Sequence, residues 1–427
     1  MKRLLGILAL ATAAVLAVAA CGSSSSGSSG SGGSGAAAAS ATSANAVTLK
    51  LVAADYGTGP SNTSSKYWQG IINAFHKANP SISVKVTVVP WTNFDSQIQT
   101  QVQNHNYPDV TEGDYFSAYA QQGLLYPASG VLSNPGNLLP VFAKQGTYNG
   151  TQYGMPFTTS SRTLFYNKKL FSQAGITSPP TTWAQVETDA AKIKAKGEIG
   201  FGLPLGPEEA QAESLLWFLG DGGNYQDAAG KWAINSPQNV AAYTFLKGLV
   251  SAGDTEPHPG TVNRTPLWEQ FAQNKIGMIN GSPALIPIIQ AGGVLKPSDW
   301  ASIAIAGKNG PLTDTLGVCD NVAAFRPNGH EAQIKKFLDF VYQNKYQLQF
   351  DREYDLLPAT VSAANALAND ATFGSFIKAL PHSVQYPSNT TWAQVKTQVQ
   401  NTIGTAVTGN PVSVLGQLQS TAEKLPS

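Results

Sequence analysis

Polar and aromatic residues follow the predicted ends of several short apolar strands. Asp55 and Tyr56 come after the first of these strands, and Glu112, Asp114 and Tyr115 come after the third. Carboxylates accept hydrogen bonds from hydroxyl and ammonium groups, while aromatic rings bury the apolar face of a flat ligand. The same residue types also cap helices and form turns, so each has a purely structural alternative. Together they predict a binding site for a small polar molecule.

Later segments supply more polar candidates of the same kind, again beside predicted strands. These are Ser160, Arg162, Asn280, Ser282, Asp320 and Asn321. Asp320 and Asn321 place a carboxylate next to an amide, a pair that suits either hydroxyl groups or an amine. The neighbouring Cys319 fits a small buried side chain better than a reactive thiol.

Eight tryptophans offer possible flat platforms for a ligand. Trp91, Trp217 and Trp268 lie in or next to predicted loops, so we treat them as binding candidates. Trp68 and Trp183 lie on apolar helix faces, which favours a place in the core. The remaining three, assigned structural roles, are Trp232, Trp300 and Trp392.

Catalytic motifs are missing from the sequence. The five histidines include no His-x-x-x-His pair, and no Gly-x-Ser-x-Gly turn is present. A glycoside hydrolase needs two carboxylates that flank the bond. Asp114 with Asp320 or Glu208 is a conceivable pair, but nothing in the sequence sets them opposite each other, and Glu208-Glu209 is typical of a solvated helix start. We therefore expect no enzyme activity, no bound metal and no cofactor.

The amino terminus has the composition of a secretory signal. Lys2 and Arg3 precede an apolar stretch that is shorter than the roughly 20 residues of a membrane span. The sequence Val18-Ala19-Ala20-Cys21 then resembles a bacterial lipobox, in which the cysteine thiol is alkylated by a lipid before cleavage. We predict a signal peptide at residues 1–20, lipidation at Cys21 and a Gly/Ser/Ala tether at residues 21–45. The folded part would then lie outside the cytoplasmic membrane, attached to its outer face.

Composition excludes several classes of partner. Charged residues make up 12% of the chain, against about 25% in a typical globular protein, and the net charge is +1. Nucleic acid is therefore an unsuitable partner, because its binding requires clustered lysine and arginine. Cys319 is the only cysteine besides Cys21, so we expect no disulfide within the chain. The roughly 380 residues after the tether are enough for two domains.

Strand and helix patterns alternate along this part of the chain. Residues 47–52 and 84–88 alternate apolar and polar side chains, and the helical spacing of apolar residues from Lys66 to Ala78 lies between them. A helix over 94–103 and a short strand at 108–110 complete β-α-β-α-β, the pattern of a parallel sheet with crossover helices. The second half continues with a strand at 164–166, a capping box at Thr182 and Gln185, and a helix entered through Ser236-Pro237.

Segments spread over nearly all of the folded part carry a family resemblance. The strongest is Tyr166-Asn167-Lys168-Lys169-Leu170-Phe171, followed by Ala174-Gly175-Ile176, Pro180 and Trp183 and preceded by Met155-Pro156-Phe157. The others are Pro108-Asp109-Val110, Gly123-Leu124-Leu125, Gly222-Gly223, Phe271 to Met278, Phe337 to Phe340 and Leu356 to Ala359. In this order they resemble the extracellular solute-binding proteins of ATP-driven (ABC) importers, in the group that takes up sugars.

The resemblance implies an α/β, two-lobed periplasmic-binding-protein-like fold of type II, with the ligand in a cleft between the lobes. We expect residues 46–157 plus 300–330 in the first lobe and residues 158–299 plus 331–427 in the second. The implied ligand is a mono- or oligosaccharide, and the implied partner of the monomeric receptor is the membrane permease. Two alternatives stay open: an amino compound or peptide as the solute, and, less favoured, a glycoside-processing surface enzyme.

Overall fold

The computed structural model describes residues 46–425, apart from residues 58, 61, 114, 115 and 371. The predicted signal peptide, Cys21 and the tether lie outside the described residues. The strands are β1 Val47–Ala54, β2 Ile82–Val89, β3 Val110–Glu112, β4 Thr147–Tyr148, β5 Thr151–Gln152, β6 Met155–Ser161, β7 Thr163–Asn167, β8 Ile199–Gly202, β9 Ile276–Gly281, β10 Trp300–Ile303, β11 Thr315–Ala324, β12 Leu357–Pro358 and β13 Ser383–Val384.

The helices that the structure describes alternate with these strands. They are α1 Ser64–Ala78, α2 Trp91–Gln103, α3 Phe116–Gln121, α4 Ala128–Val131, α5 Pro140–Gln145, α6 Lys168–Gln173, α7 Trp183–Lys194, α8 Ala210–Leu219, α9 Pro237–Ala252, α10 Arg264–Ala272, α11 Leu285–Gly292, α12 Glu331–Val341, α13 Asn344–Tyr354, α14 Val361–Leu367, α15 Gly374–Ala379, α16 Trp392–Thr402 and α17 Pro411–Glu423. Among the described residues, none of these helices has the length and apolar character needed to cross a bilayer.

The first sheet has the strand order β12-β6-β11-β3-β1-β2, and β13 pairs with β11. β1 runs parallel to both β2 and β3, so the predicted β-α-β-α-β unit is confirmed. Thr63 caps α1 by accepting from the backbone N–H of Lys66, and Trp68 on this helix is 2% exposed in the core. The first sheet and the helices packed on it are called the first lobe below.

The second sheet has the order β10-β7-β9-β8, in which β8 and β9 are parallel. The predicted capping box of Thr182 and Gln185 opens α7, and the side chain of Ser236 caps α9. Trp183 is buried, as predicted, and stacks on Phe245 at a centroid distance of 5.0 Å. This sheet and its helices are called the second lobe.

Two strand crossings join the lobes, and the chain passes between them once more after β13, because α16 packs in the second-lobe core. β6 belongs to the first sheet and β7 to the second, and Arg162 is the one residue between them. β11 returns from the second lobe to the first: Leu316 packs in the second-lobe core and Val322 in the first-lobe core. The side chain of Thr315, at the start of β11, donates to the backbone oxygen of Arg162 at 2.9 Å. The two crossings are therefore bonded directly to each other.

The predicted lobe boundaries differ from the structure at residues 158–161, at residues 300–303 and in the segment after β11, where β12 also belongs to the first sheet. Residues 158–161 belong to β6 in the first sheet, and residues 300–303 form β10, which pairs with β7 in the second sheet. Residues 331–341 form α12, which packs on the first lobe through Phe337 against Phe75 at 5.2 Å. The reason is that β11 ends in the first sheet, so the apolar face of the next helix covers that sheet.

Candidate ligand-binding site

Tyr56, Trp91 and Asp320 come together on the first-lobe side of the site. The hydroxyl of Tyr56 donates to Oδ2 of Asp320 at 3.0 Å, across 264 residues of sequence. The Tyr56 ring meets the Trp91 ring edge-on at 5.4 Å, and Trp91 is 39% exposed at the first position of α2. This cluster joins an accessible aromatic ring to a hydrogen-bonded carboxylate.

Two aromatic residues that the sequence did not single out support Tyr56 from behind. Phe350 and Tyr354 of α13 lie 5.1 Å and 5.7 Å from its ring. Sequence reasoning missed them because α13 falls in a segment that was expected in the second lobe. Their contacts fix the direction of the Tyr56 hydroxyl toward Asp320.

The other first-lobe carboxylates do not gather into one anionic site. Asp55 accepts from the backbone N–H of Gly57 at 3.1 Å, and Glu112 accepts from the N–H of Ala54 at 2.8 Å. Glu112 is 1% exposed, and burial, together with the nearby charge of Asp320, raises its pKa to about 8. Glu112 therefore carries little charge at neutral pH. The predicted site residues Asp114 and Tyr115 lie outside the described residues.

Arg162 links the first crossing to the second lobe. Its Nη1 donates to Oγ of Ser160 at 2.9 Å, and its Nη2 donates to Oε1 of Glu209 at 2.7 Å. Both Ser160 and Arg162 are buried. These two predicted site residues are thus bonded to each other.

Glu208 and Glu209 take part in an ionic network, so the expectation of a solvated helix start was wrong. Glu209 Oε2 accepts from Nη1 of Arg264 at 2.5 Å, and Glu208 Oε1 accepts from Nη2 of Arg264 at 2.8 Å. Although burial alone would raise the pKa of Glu209, the guanidinium groups of Arg162 and Arg264 hold it below its ordinary value. Partners 55 residues apart leave no local signal in the sequence.

Trp268 and Asn280 complete this second-lobe cluster. Nε1 of Trp268 donates to the backbone oxygen of Asn280 at 3.1 Å, and the Arg264 guanidinium lies 4.5 Å from the Trp268 ring centroid. Asn280 Nδ2 donates to Oε1 of Glu213 at 2.8 Å, and burial raises the pKa of Glu213 to about 7. A small cavity is lined by Arg162, Pro204, Glu209, Ala212, Glu213, Leu216, Arg264, Trp268 and Asn280.

Trp217 does not face a ligand site, contrary to prediction. It is 2% exposed, and its ring is enclosed by Trp183, Phe201 and Phe245 at 5.3 to 6.1 Å. Its Nε1 donates to Oε1 of Glu213 at 2.7 Å. Trp217 is therefore a core residue that orients one carboxyl group of the cavity.

The last predicted residues are enclosed as well. Ser282 is buried directly after β9, and Asn321 is 1% exposed in β11, with its side-chain oxygen 3.8 Å from the Cys319 sulfur. Cys319 is buried, as predicted. Within the part of the chain that the structure describes, no three histidine, cysteine, aspartate or glutamate side chains are grouped to hold a metal ion.

Two polar contacts cross from the first lobe to the second. Oγ of Ser117 on α3 donates to the backbone oxygen of Ser388 at 2.6 Å. Nζ of Lys396 on α16 lies 3.5 Å from Oδ2 of Asp95 on α2. α16 packs in the second-lobe core, so both contacts hold the two lobes together.

The model of the bacterial extracellular solute-binding protein family matches residues 59–348. The match covers more than half of the chain, so this protein belongs to that family. A binding protein of Brucella abortus (strain 2308) is 27% identical over 393 residues, which cover 89% of this chain and 94% of that protein. The diacetylchitobiose binding protein DasA of Streptomyces coelicolor is 24% identical over 337 residues, which cover 77% of this chain and 78% of that protein.

A solved structure supports the same assignment at the level of the fold. The solute-binding protein of an ABC transporter from Thermotoga lettingae, bound to alpha-D-tagatose, superimposes with a TM-score of 0.77 at 21% identity. The superposition covers 88% of this chain and 99% of that chain. The two-lobed α/β fold predicted from the sequence is therefore confirmed.

Proposed function

We propose that the protein is a receptor that captures a mono- or oligosaccharide between its lobes and delivers it to the permease of an ABC importer. The observation that carries the proposal is the cluster of Tyr56, Trp91 and Asp320, which sets an accessible aromatic ring beside a carboxylate. A pyranose can place its apolar C–H face on the aromatic ring and donate from its hydroxyl groups to the carboxylate. A carbohydrate ligand is also supported by two similar proteins, the Thermotoga lettingae protein bound to tagatose and the diacetylchitobiose binding protein of Streptomyces coelicolor.

The free energy of sugar binding requires both apolar contact area and several hydrogen bonds. Micromolar affinity corresponds to about 8 kcal/mol. A net hydrogen bond contributes only about 0.5–1.5 kcal/mol, or roughly 1.5–3 kcal/mol when one partner is charged. Asp320 supplies a charged acceptor, and Trp91 supplies apolar area. Further polar groups on the second lobe, such as Asn280, would add contacts when the lobes close on the ligand.

Closure follows from a ligand that touches both lobes. Such a ligand stabilises the closed form by its difference in affinity for the two forms. The single-residue crossing at Arg162 and the return through β11 are suited to a hinge between two rigid lobes. The permease would recognise the closed form, so no covalent step is needed and we propose no enzyme activity.

The proposal includes the anchor predicted from the sequence. After removal of the signal peptide at residues 1–20, a lipid on Cys21 would hold the monomeric receptor at the outer face of the cytoplasmic membrane. The tether at residues 21–45 would give the folded part reach toward the permease. Mass spectrometry of the protein purified from membranes tests this part, because a diacylglyceryl-modified Cys21 has a distinct N-terminal peptide mass.

An amino compound is the alternative ligand class. It would require several ionised carboxylates at one place, but Asp55 is bonded to the Gly57 backbone, and Glu112 is largely protonated at neutral pH. Asp320 is then the principal described carboxylate of the first-lobe side. The single carboxylate of the cluster meets the need of a sugar, which requires one or two such acceptors, and does not supply the several that an amino compound would require.

Titration calorimetry with a panel of mono- and oligosaccharides tests the proposal, with polyamines and amino acids as controls. We expect saturable heat with one sugar series and a 10- to 100-fold loss of affinity in Asp320→Asn, since one charged hydrogen bond contributes about 1.5–3 kcal/mol. The matched control is Asp339→Asn on α12, a carboxylate bonded to Ser133 and Lys335 away from the cluster. Binding restricted to amines, or an Asp320→Asn protein with unchanged sugar affinity, would refute the proposed site.

A further inference from the structure

We propose that the ionic network of Arg162, Arg264, Glu208 and Glu209 makes the site select against anionic sugars, so that the substrate carries no phosphate or carboxylate group. The inference rests on the proposed function, because it concerns the second-lobe side of the same cleft. It narrows the substrate class from carbohydrate to uncharged carbohydrate.

Both arginines that line the cavity are already engaged by the protein. Arg162 donates through Nη1 to Ser160 and through Nη2 to Glu209. Arg264 donates through Nη1 to Glu209 and through Nη2 to Glu208. All four terminal guanidinium nitrogens thus have protein acceptors at 2.5 to 2.9 Å. The paired geometry with which arginine binds phosphate is taken up by side chains of the protein itself.

The charges of the network also cancel. Two guanidinium groups meet the carboxylates of Glu208 and Glu209, two positive charges against two negative ones. An incoming anion would find no excess positive charge and would have to displace a partly buried glutamate. Displacement would leave that carboxylate without its partner in a water-poor environment, which is unfavourable. The network therefore acts as a barrier to anions as well as a brace between helices.

The amino-terminal end of α8 carries acidic residues. The amino-terminal end of a helix attracts negative charge through its unpaired N–H groups and its dipole. Glu209 occupies the N-cap position of α8, and Glu213 lies in its first turn. The charge of Glu209 at this end of the helix opposes the approach of a phosphate, although its side chain makes no capping hydrogen bond.

The polar atoms left without partners suit a neutral group. Oδ1 of Asn280 and Nε of Arg264 are buried and have no hydrogen-bond partner among the described residues. Asn280 is 3% exposed and lines the cavity. Arg264 lines the same cavity, which therefore offers one acceptor and one donor, the two kinds of partner that neutral hydroxyl groups use. A fully ionised phosphate could accept from Nε of Arg264, but it has no proton to donate to Oδ1 of Asn280, which would stay without a partner.

Glu209→Gln tests the inference in the purified full chain. Calorimetry compares glucose with glucose 6-phosphate, or the corresponding pair for the sugar series that binds, and uses inorganic phosphate as a probe independent of the sugar. In the wild-type protein we expect the neutral sugar to bind at least 100-fold more tightly than its phosphate ester, and no heat with inorganic phosphate. Glu209→Gln should gain at least tenfold in affinity for both phosphate probes.

Two further variants keep the outcome interpretable. Glu208→Gln removes one negative charge beside Arg264 and leaves Glu209 in place, so it should show a smaller gain even if Glu209→Gln fails to fold. Glu187→Gln, an exposed carboxylate on α7, is the matched control and should behave like the wild-type protein.

Two results would overturn the inference: wild-type protein that binds the phosphate ester as tightly as the neutral sugar, or folded glutamine variants that gain no phosphate binding. If phosphate responds as expected while no sugar binds, the charge selection stands and the proposed function fails. If neutral and phosphorylated sugars bind equally, the proposed function stands and the inference fails.

Discussion

The two sides of the candidate site are built on opposite principles. On the first lobe, a half-buried tyrosine contacts both an exposed tryptophan and one carboxylate, and aromatic contacts hold the tyrosine in place. On the second lobe, buried and partly buried arginines and glutamates neutralise one another beside a small cavity. Under the two proposals, the first side would supply affinity through apolar area and the second would supply selectivity through pre-arranged charge. Binding strength and ligand choice would then depend on separate residues.

Trp217 and Trp91 were both predicted to bind ligand, and replacing them should give the largest difference in stability. Trp217→Ala should lower the free energy of unfolding by about 3–5 kcal/mol, because it leaves a cavity in the second-lobe core. Trp91→Ala should change it by no more than about 0.5 kcal/mol, because the ring is 39% exposed. Chemical unfolding monitored by circular dichroism measures both values.

Ligand titration of the same two variants then separates stability from binding. Trp91→Ala should weaken sugar binding with the fold intact. If Trp217→Ala were as stable as the wild-type protein, the assignment of Trp217 to the core would be wrong.

A second contrast concerns the buried carboxyl groups of each side, Glu112 and Glu213. Their pKa values are raised to about 8 and about 7, from about 4.3 in an unfolded chain. Between these values the native state keeps a proton that the unfolded chain has lost. The stabilisation is therefore complete below about pH 4.3 and is lost as the pH rises toward 8 and 7, by at most about 1.4 kcal/mol per pH unit for each group.

Urea unfolding at several pH values compares Glu112→Gln and Glu213→Gln with the wild-type protein. Each variant should lose less stability than the wild-type protein between pH 5 and pH 8. The difference for Glu213→Gln should be complete near pH 7, while that for Glu112→Gln should continue to grow up to pH 8. Equal slopes in all three proteins would show that these carboxyl groups are ionised in the native state.

The smallest expected effect comes from breaking the ion pair between Lys396 and Asp95, which connects the two lobes. Lys396→Met removes a contact of 3.5 Å to Asp95. Partly exposed pairs contribute about 0.2–1 kcal/mol, so ligand affinity should fall by less than about fivefold. Small-angle X-ray scattering of the ligand-free protein should show a slightly larger radius of gyration. High salt should produce the same change in the wild-type protein and none in the variant.

The fold was largely predictable because its signals are local. Alternation at residues 47–52 and 84–88, and the capping box of Thr182 and Gln185, act over a few residues and appear unchanged in the structure. The lobe boundaries were less predictable because the chain crosses between the sheets. The places of β10 and α12 depend on which sheet β11 has entered, and that is a long-range property.

The site was predictable in its residue types and not in its pairings. Tyr56 and Asp320 were both named, but 264 residues separate them and no local pattern joins them. Arg264 and Glu209 were missed for the same reason. Trp217 was misassigned because it lies next to a predicted loop, whereas in the structure α8 is buried on all sides, including its polar residues Gln211 and Glu213.

The single residue between β6 and β7 also limits how the two lobes can move relative to each other. One residue spans at most about 3.6 Å, so the lobes cannot move apart at this point. Any opening has to be a turn about a fixed pivot, described by a few backbone torsions around Arg162. A membrane partner that distinguishes the open form from the closed form would therefore respond to the angle between the lobes, whatever the size of the bound ligand.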